Sequence, residues 1–215
     1  MILNDVIATA RRLLQDTDTS LQRHSDADLL DFGNDTLKRI CLLRPDLFST
    51  QGNVACTTNE VLQSAPTDSV RLFEVLRIDG GAAVRETNRE ILDQTHPTWQ
   101  ADTAAAASSW MRHPRNPNQF MIYPQAPVSQ TLVVEYAQSP PTYDGVTAVA
   151  LLSDAYFSVV VDGIVWLCES MDNESVTTQR AQMFQQSFVQ SLQASLESRH
   201  VTDSEMGGLK EKDFR

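Results

Sequence analysis

One stretch governs what this chain can fold into. Between residues 153 and 169 apolar side chains recur at helical spacing on more than one side. Tyr156, Val160, Ile164, Leu167 and Cys168 share one face, Phe157, Val161 and Val165 lie on another, and only Asp154, Asp162 and Glu169 interrupt. The β-branched run at 159–161 lowers helix propensity, but the length of the pattern predicts a helix. A helix apolar nearly all round must be buried on several sides. One small bundle offers limited cover, so a neighbouring copy is expected to complete it.

Other helices are legible at both ends. Leu3, Val6, Ile7, Ala10, Leu13 and Leu14 predict a helix over 4–15 with Asn4 as its N-cap. After a polar loop, Ser25 caps a second helix whose first turn carries Asp26 and Asp28, acids that suit the positive end of the dipole. Leu29, Leu30, Leu37, Ile40 and Cys41 form its buried face, and Pro45 stops it. A last helix is predicted over 174–198, capped by Asp172 or Asn173. Ala181, Phe184, Phe188, Leu192 and Leu196 line its inside, while Gln179, Gln182, Gln186, Gln190 and Gln193 take much of the rest. That glutamine face reads either as plain solvated surface or as a subunit interface.

The middle has a different character. Residues 70–78 are rich in β-formers and are followed by Gly80-Gly81, a hairpin signal, with 82–85 as the return strand. Short apolar runs at 120–123 and 132–136 are bounded by prolines. Residues 101–109, rich in alanine, are expected to form a loop. The fold class is α+β: an antiparallel bundle of about four helices (1–50 and 143–200), an inserted small antiparallel β domain (51–142) and a flexible C-terminal tail (201–215). The tail holds Gly207-Gly208 and mixed charges without an apolar period.

Charge and chemistry narrow the function. The net charge of −11 argues against gripping duplex DNA, which requires lysine and arginine on the phosphates. Residues 143–200 hold only Arg180 and Arg199 against seven acids. Cys41, Cys56 and Cys168 are far apart and form no CxxC pair, so neither a zinc site nor a disulfide framework is suggested. The opening MILNDVIATARRLL is too short and interrupted for a signal peptide, and no apolar run reaches membrane-spanning length. No P-loop, dinucleotide fingerprint, nucleophile elbow or zinc-protease motif is present. His24, His96, His113 and His200 are scattered; a metal held by His96, His113 and Cys56, or a hydrolase using either histidine, is weighed and set below two loop histidines. Asp26, Asp28, Asp31 and Asp35 read as a capped, solvated helix face. Trp166 reads as core, and Trp99 and Trp110 as anchors under loops or as interface contacts; stacking on single-stranded nucleic acid lacks a basic groove, since 51–142 has six basic residues against nine acids. No catalytic residue, metal or cofactor is expected.

Several segments together carry a resemblance. Asp5-Val6-Ile7 with Arg11, Leu14-Gln15-Asp16, the run from Ser25-Asp26-Ala27-Asp28 to Asn34-Asp35, and Leu43-Arg44-Pro45-Asp46 are followed by Asn88-Arg89-Glu90-Ile91-Leu92-Asp93 and Pro97-Thr98-Trp99. Pro114-Arg115-Asn116-Pro117-Asn118-Gln119-Phe120 and Ile122-Tyr123-Pro124 complete the series. In this order they resemble the podovirus head-to-tail adaptor, or tail tubular protein A, family. The resemblance implies a helical bundle with an inserted β domain and a ring, typically of twelve copies. That ring would sit in the virion between the portal protein and the tail nozzle (tail tubular protein B) or tail fibres, with DNA passing through its lumen, after assembly in the host cytoplasm. It also implies portal docking by the tail, here Val201, Met206, Leu209, Lys210, Lys212, Phe214 and Arg215. The alternative is another neck component, a stopper or head-completion protein, with residues 101–109 as its gate.

Overall fold

The computed structural model describes residues 1–171 and 178–209, with 178 and 195–209 described as backbone alone. In chain order the elements are α1 (Leu3–Leu14), α2 (Asp26–Leu43), β1 (Ser49–Ala55), β2 (Leu62–Ser64), β3 (Ser69–Ile78), β4 (Arg85–Glu86) and α3 (Arg89–Thr95). Then follow β5 (Ser109–Arg112), β6 (Gln119–Tyr123), β7 (Thr131–Gln138), α4 (Phe157–Met171) and α5 (Thr178–Leu209). The fold is mixed α+β. Met1–Arg44 and the chain from Pro140 onward make a helical unit, and Pro45–Ser139 make a β unit.

In the helical unit α4 packs against α1, α2 and α5. Val159, Val160, Val161, Ile164, Val165 and Cys168 are all buried there. Gly163 brings α2 and α5 close: a Cβ at that position would collide with Thr36 Cγ2 and press on Phe188. Much of the cover that α4 requires thus comes from its own chain. α1, α2 and α5 all pack on it, while Phe157, Trp166 and Leu167 stay half-buried.

Asn4 is not the cap of α1. The N-cap is Ile2, whose side chain makes no capping bond, and Asn4 lies inside the first turn. The loose N–H of Asn4 is satisfied instead by the Gly145 carbonyl at 3.0 Å, a tertiary contact that sequence spacing does not announce. Gly145 has φ +88°, and a side chain there would strike Asn4 Oδ1. On α2 the expected cap is present: Ser25 Oγ accepts from Asp28 N–H at 3.1 Å, and Asp28 Oδ2 accepts from Ser25 N–H at 3.1 Å. The Ser25 hydroxyl and N–H hold the Asp28 carboxyl below its usual range. At the other end of α2, buried Arg44 donates to the Leu192 carbonyl at 2.8 Å and ties α2 to α5.

α5 runs antiparallel to α4, with the Ser187 hydroxyl donating to Asp162 Oδ2 at 2.7 Å. Ala181, Phe188 and Leu192 are buried on its inner face and Phe184 is half-buried. Its candidate caps Asp172 and Asn173 and the Leu196 side chain lie outside what is described. Its 32 residues span about 48 Å, against about 22 Å for the 15 residues of α4. The helix was expected to end at 198 and give way to a loose tail, but the backbone stays helical to Leu209. Extending an existing helix adds one hydrogen bond per residue fixed and needs no new nucleus, so a segment without an apolar stripe can continue it. Gly207 and Gly208 weaken this by about 1 kcal/mol each relative to alanine.

The β unit holds two sheets, ordered β1-β7-β3 and β2-β6-β5-β4. The sheets are antiparallel, as expected, apart from the two-residue pairing of β4 with β5, which is parallel. The Gly80-Gly81 turn does form, with Ile78 N–H bonded to Ala82 O. Its return segment, however, meets β3 only briefly, through the Arg77–Ala83 bridge and the Val84 N–H to Leu76 carbonyl bond, before leaving to become β4 of the other sheet. Val75, Val134 and Tyr136 from one sheet and Trp110, Phe120 and Ile122 from the other build one core. Residues in between point the opposite way, so Met111 and Met121 pack with Trp99 and Leu92 in a second, smaller cluster.

Candidate interaction surfaces

The residues singled out for portal docking lie at or beyond the end of the described residues. Val201, Met206 and Leu209 fall on the α5 backbone, with their side chains outside what is described. Lys210, Lys212, Phe214 and Arg215 lie outside the described residues.

A groove of about 340 Å³ opens on the helical unit between the end of α2, the middle of α4 and the middle of α5. Leu42 and Leu43 stand at its edge, 71% and 56% exposed. Trp166, expected in the core, is half-buried and forms part of the lining. Its position on α4 points between α2 and α5, where its ring meets Phe188 at 5.9 Å and lies under the Arg39 guanidinium at 5.1 Å. Arg39 Nε donates to Asp35 Oδ2 at 2.7 Å, so the one cation of the lining has its counter-ion. Gln185 and Val189 finish the wall. Gln179, Gln182, Gln186, Gln190 and Gln193 are all exposed. The groove's one signal in the sequence is that Leu42 and Leu43 continue an apolar run past the inward positions 37, 40 and 41.

The acidic stripe of α2 does structural work. Buried Arg11 donates to Asp26 at 2.6 Å, to Asp16 at 2.8 Å and to the His24 carbonyl at 3.0 Å. Asp16 also accepts from the Arg23 N–H at 2.9 Å, which shapes the turn between α1 and α2. Asp28 is the cap, Asp35 holds Arg39, and Asp31 is exposed.

In the β unit, residues 101–109 do form a loop after the short turn Trp99–Ala101, and it is stitched down. Asp102 Oδ2 meets His96 Nε2 at 2.7 Å and accepts from the Tyr123 hydroxyl at 3.0 Å. That hydroxyl bond to Asp102 raises the Tyr123 pKa. Thr103 bridges to Gln125, and Ala107 is buried. His113 has a separate duty: its Nδ1 accepts from the N–H groups of Asn116 at 2.9 Å and Arg115 at 3.3 Å, closing a turn. Trp99 and Trp110 are wholly buried, Trp99 donating to Asp93 at 2.8 Å, so both are core anchors and not surface contacts. Burial pushes the Cys41 and Cys56 thiols up to about 11 and Cys168 to about 12, which keeps them protonated and weakly nucleophilic near neutrality. Among the described residues no group of three or more His, Cys, Asp or Glu side chains is placed to hold a metal ion. No described helix is long and apolar enough to cross a membrane.

No curated protein matches the chain. A family model described as SU10 adaptor protein matches residues 1–209, both units and the whole of α5. The chain belongs to the SU10 adaptor protein family, a phage adaptor family.

Proposed function

We propose that this chain is the head-to-tail adaptor of a short-tailed phage, akin to tail tubular protein A. Copies form a ring between the portal protein and the tail nozzle, with DNA passing through the lumen. The observation that carries the reading is the adaptor-family match over 1–209, which spans the helical unit and the inserted β unit alike. The net charge of −11 supports it, since an acidic channel wall does not hold on to DNA. The role is structural and not enzymatic. His96 and His113 are committed to Asp102 and to a turn, and the thiols are protonated. A stopper is the weaker reading, because its candidate gate, residues 101–109, is bonded to Gln125 and Tyr123.

Sedimentation of the purified chain with and without its cognate portal protein tests the proposal. An adaptor joins the portal peak in multiple copies. A folded chain that never joins it rules the adaptor role out. Removing residues 201–215 abolishes docking if the C-terminal segment is the portal contact; a truncated chain that docks normally refutes that part.

A further inference from the structure

We propose that the groove formed by Leu42, Leu43, Trp166 and Val189 is covered by a second copy of this chain. The inference deepens the ring reading above and rests on it.

Copies of an acidic chain repel one another. Two copies each carrying −11 approach most easily through a face that holds no uncompensated charge. The groove lining contains no acid, and its single cation, Arg39, is paired with Asp35. Other clefts differ. The one beside α1 and α2 holds Asp144 besides the Arg11–Asp26 pair. The one beside α3 holds Glu90 besides the Arg89–Asp93 and Arg112–Glu86 pairs, and the one near Trp110 holds Arg71 and Arg115 besides the paired Arg112. A basic partner gains nothing from the neutral groove and is drawn to the acidic faces instead, while DNA finds no cations there to neutralise its phosphates. What fits is an apolar contact within a neutral, hydrogen-bonding rim.

The rim exists. Gln182, Gln186 and Gln193 lie three or four residues from Gln185 or Val189 and so on the same side of α5. Glutamine amides donate and accept at once, so they pair with whatever polar groups a like-charged copy presents. The centre is preorganised: Trp166 is held between Phe188 and Arg39, and tryptophan and arginine are both enriched among the residues that carry most of the binding energy at interfaces.

The test uses the full chain and a Leu42→Asp/Leu43→Asp variant, whose sites are exposed enough to leave the fold intact by circular dichroism. Leu42→Gln/Leu43→Gln serves as a second variant should the acids disturb the end of α2. Sedimentation over a concentration series, alone and on the cognate portal protein, measures copy-to-copy association and the binding of the first copy separately. The expected result is at least a tenfold loss of copy-to-copy association, with first-copy binding to the portal unchanged. A variant that adds copies as the parent chain does overturns the inference and leaves the adaptor reading standing. A variant whose first copy no longer binds the portal also overturns it, because the groove then faces the portal. If the parent chain joins neither itself nor the portal, the adaptor reading falls and takes this inference with it.

Discussion

In the β unit both tryptophans are sealed, Trp110 in the core shared by the two sheets and Trp99 beside Met111 and Met121, whereas the helical unit leaves Trp166 half out between Arg39 and Phe188. The helical unit closes its own core with aliphatic side chains around α4 and does not need that ring for closure. The β unit needs its rings, because two small sheets must fill the space between them. The aromatic left at the surface is thus the one free to serve a contact outside the unit. Large apolar side chains gathered at one exposed place, and not scattered singly, are the mark of such a surface.

The largest expected effect separates the tryptophans. Trp110→Ala should cost about 3–5 kcal/mol in urea unfolding, as for other buried aromatic truncations. Trp166→Ala should cost about 1–2 kcal/mol, in the range of an ordinary substitution. Equal losses at the two positions would erase the distinction between sealed and open rings.

Next comes the centre of the helical unit. Gly163→Ala drives a methyl group into Thr36 and should cost about 1–3 kcal/mol. Adding Thr36→Ala removes the atom that is struck, and the Thr36 hydroxyl is buried without a hydrogen-bond partner, so the double variant should recover most of the loss. A double variant no more stable than Gly163→Ala would show that the close approach at α4 is not what matters.

A third test uses pH. The cysteine thiols are raised from 9.0 to about 11 or 12 by burial, so the folded chain keeps protons that the unfolded chain releases above pH 9. Stability from this source is fully present below pH 9 and is lost as pH climbs through 11 to 12. Unfolding midpoints measured from pH 8 upward should fall, and Cys168→Ala should flatten that fall. An unchanged slope in the variant would remove Cys168 from the account. The smallest effect is at a surface cap: Ser25→Ala should cost about 1 kcal/mol, read from thermal or urea unfolding.

The helices were the legible part, since α1, α2 and α4 declare themselves by apolar spacing and Ser25 by its cap. The strands β3, β6 and β7 were legible from β-branched and aromatic runs. β1 was not: Ser49–Ala55 buries only Val54 and is a strand because β7 offers it an edge, which is a tertiary reason. α3 was missed because seven residues with no buried side chain carry no apolar stripe. The groove was hidden for a related reason. Spacing says that Trp166 lies on an apolar helix, but which turn of that helix lacks a lid depends on where α2 ends and how α5 crosses it.

The place of α4 in the chain also sets an order on folding during synthesis. α1 and α2 are complete by Leu43, but the helix that fills the space between them begins only at Phe157, after the whole β unit has been made. At about 5–20 residues per second the ribosome needs on the order of ten seconds to cover that stretch. Throughout it α1 and α2 have each other but lack the α4 that packs on both, while Pro45–Ser139 already holds everything its own two sheets require. The chain order thus predicts that the inserted unit matures first on the ribosome and that the outermost segments of the sequence close last.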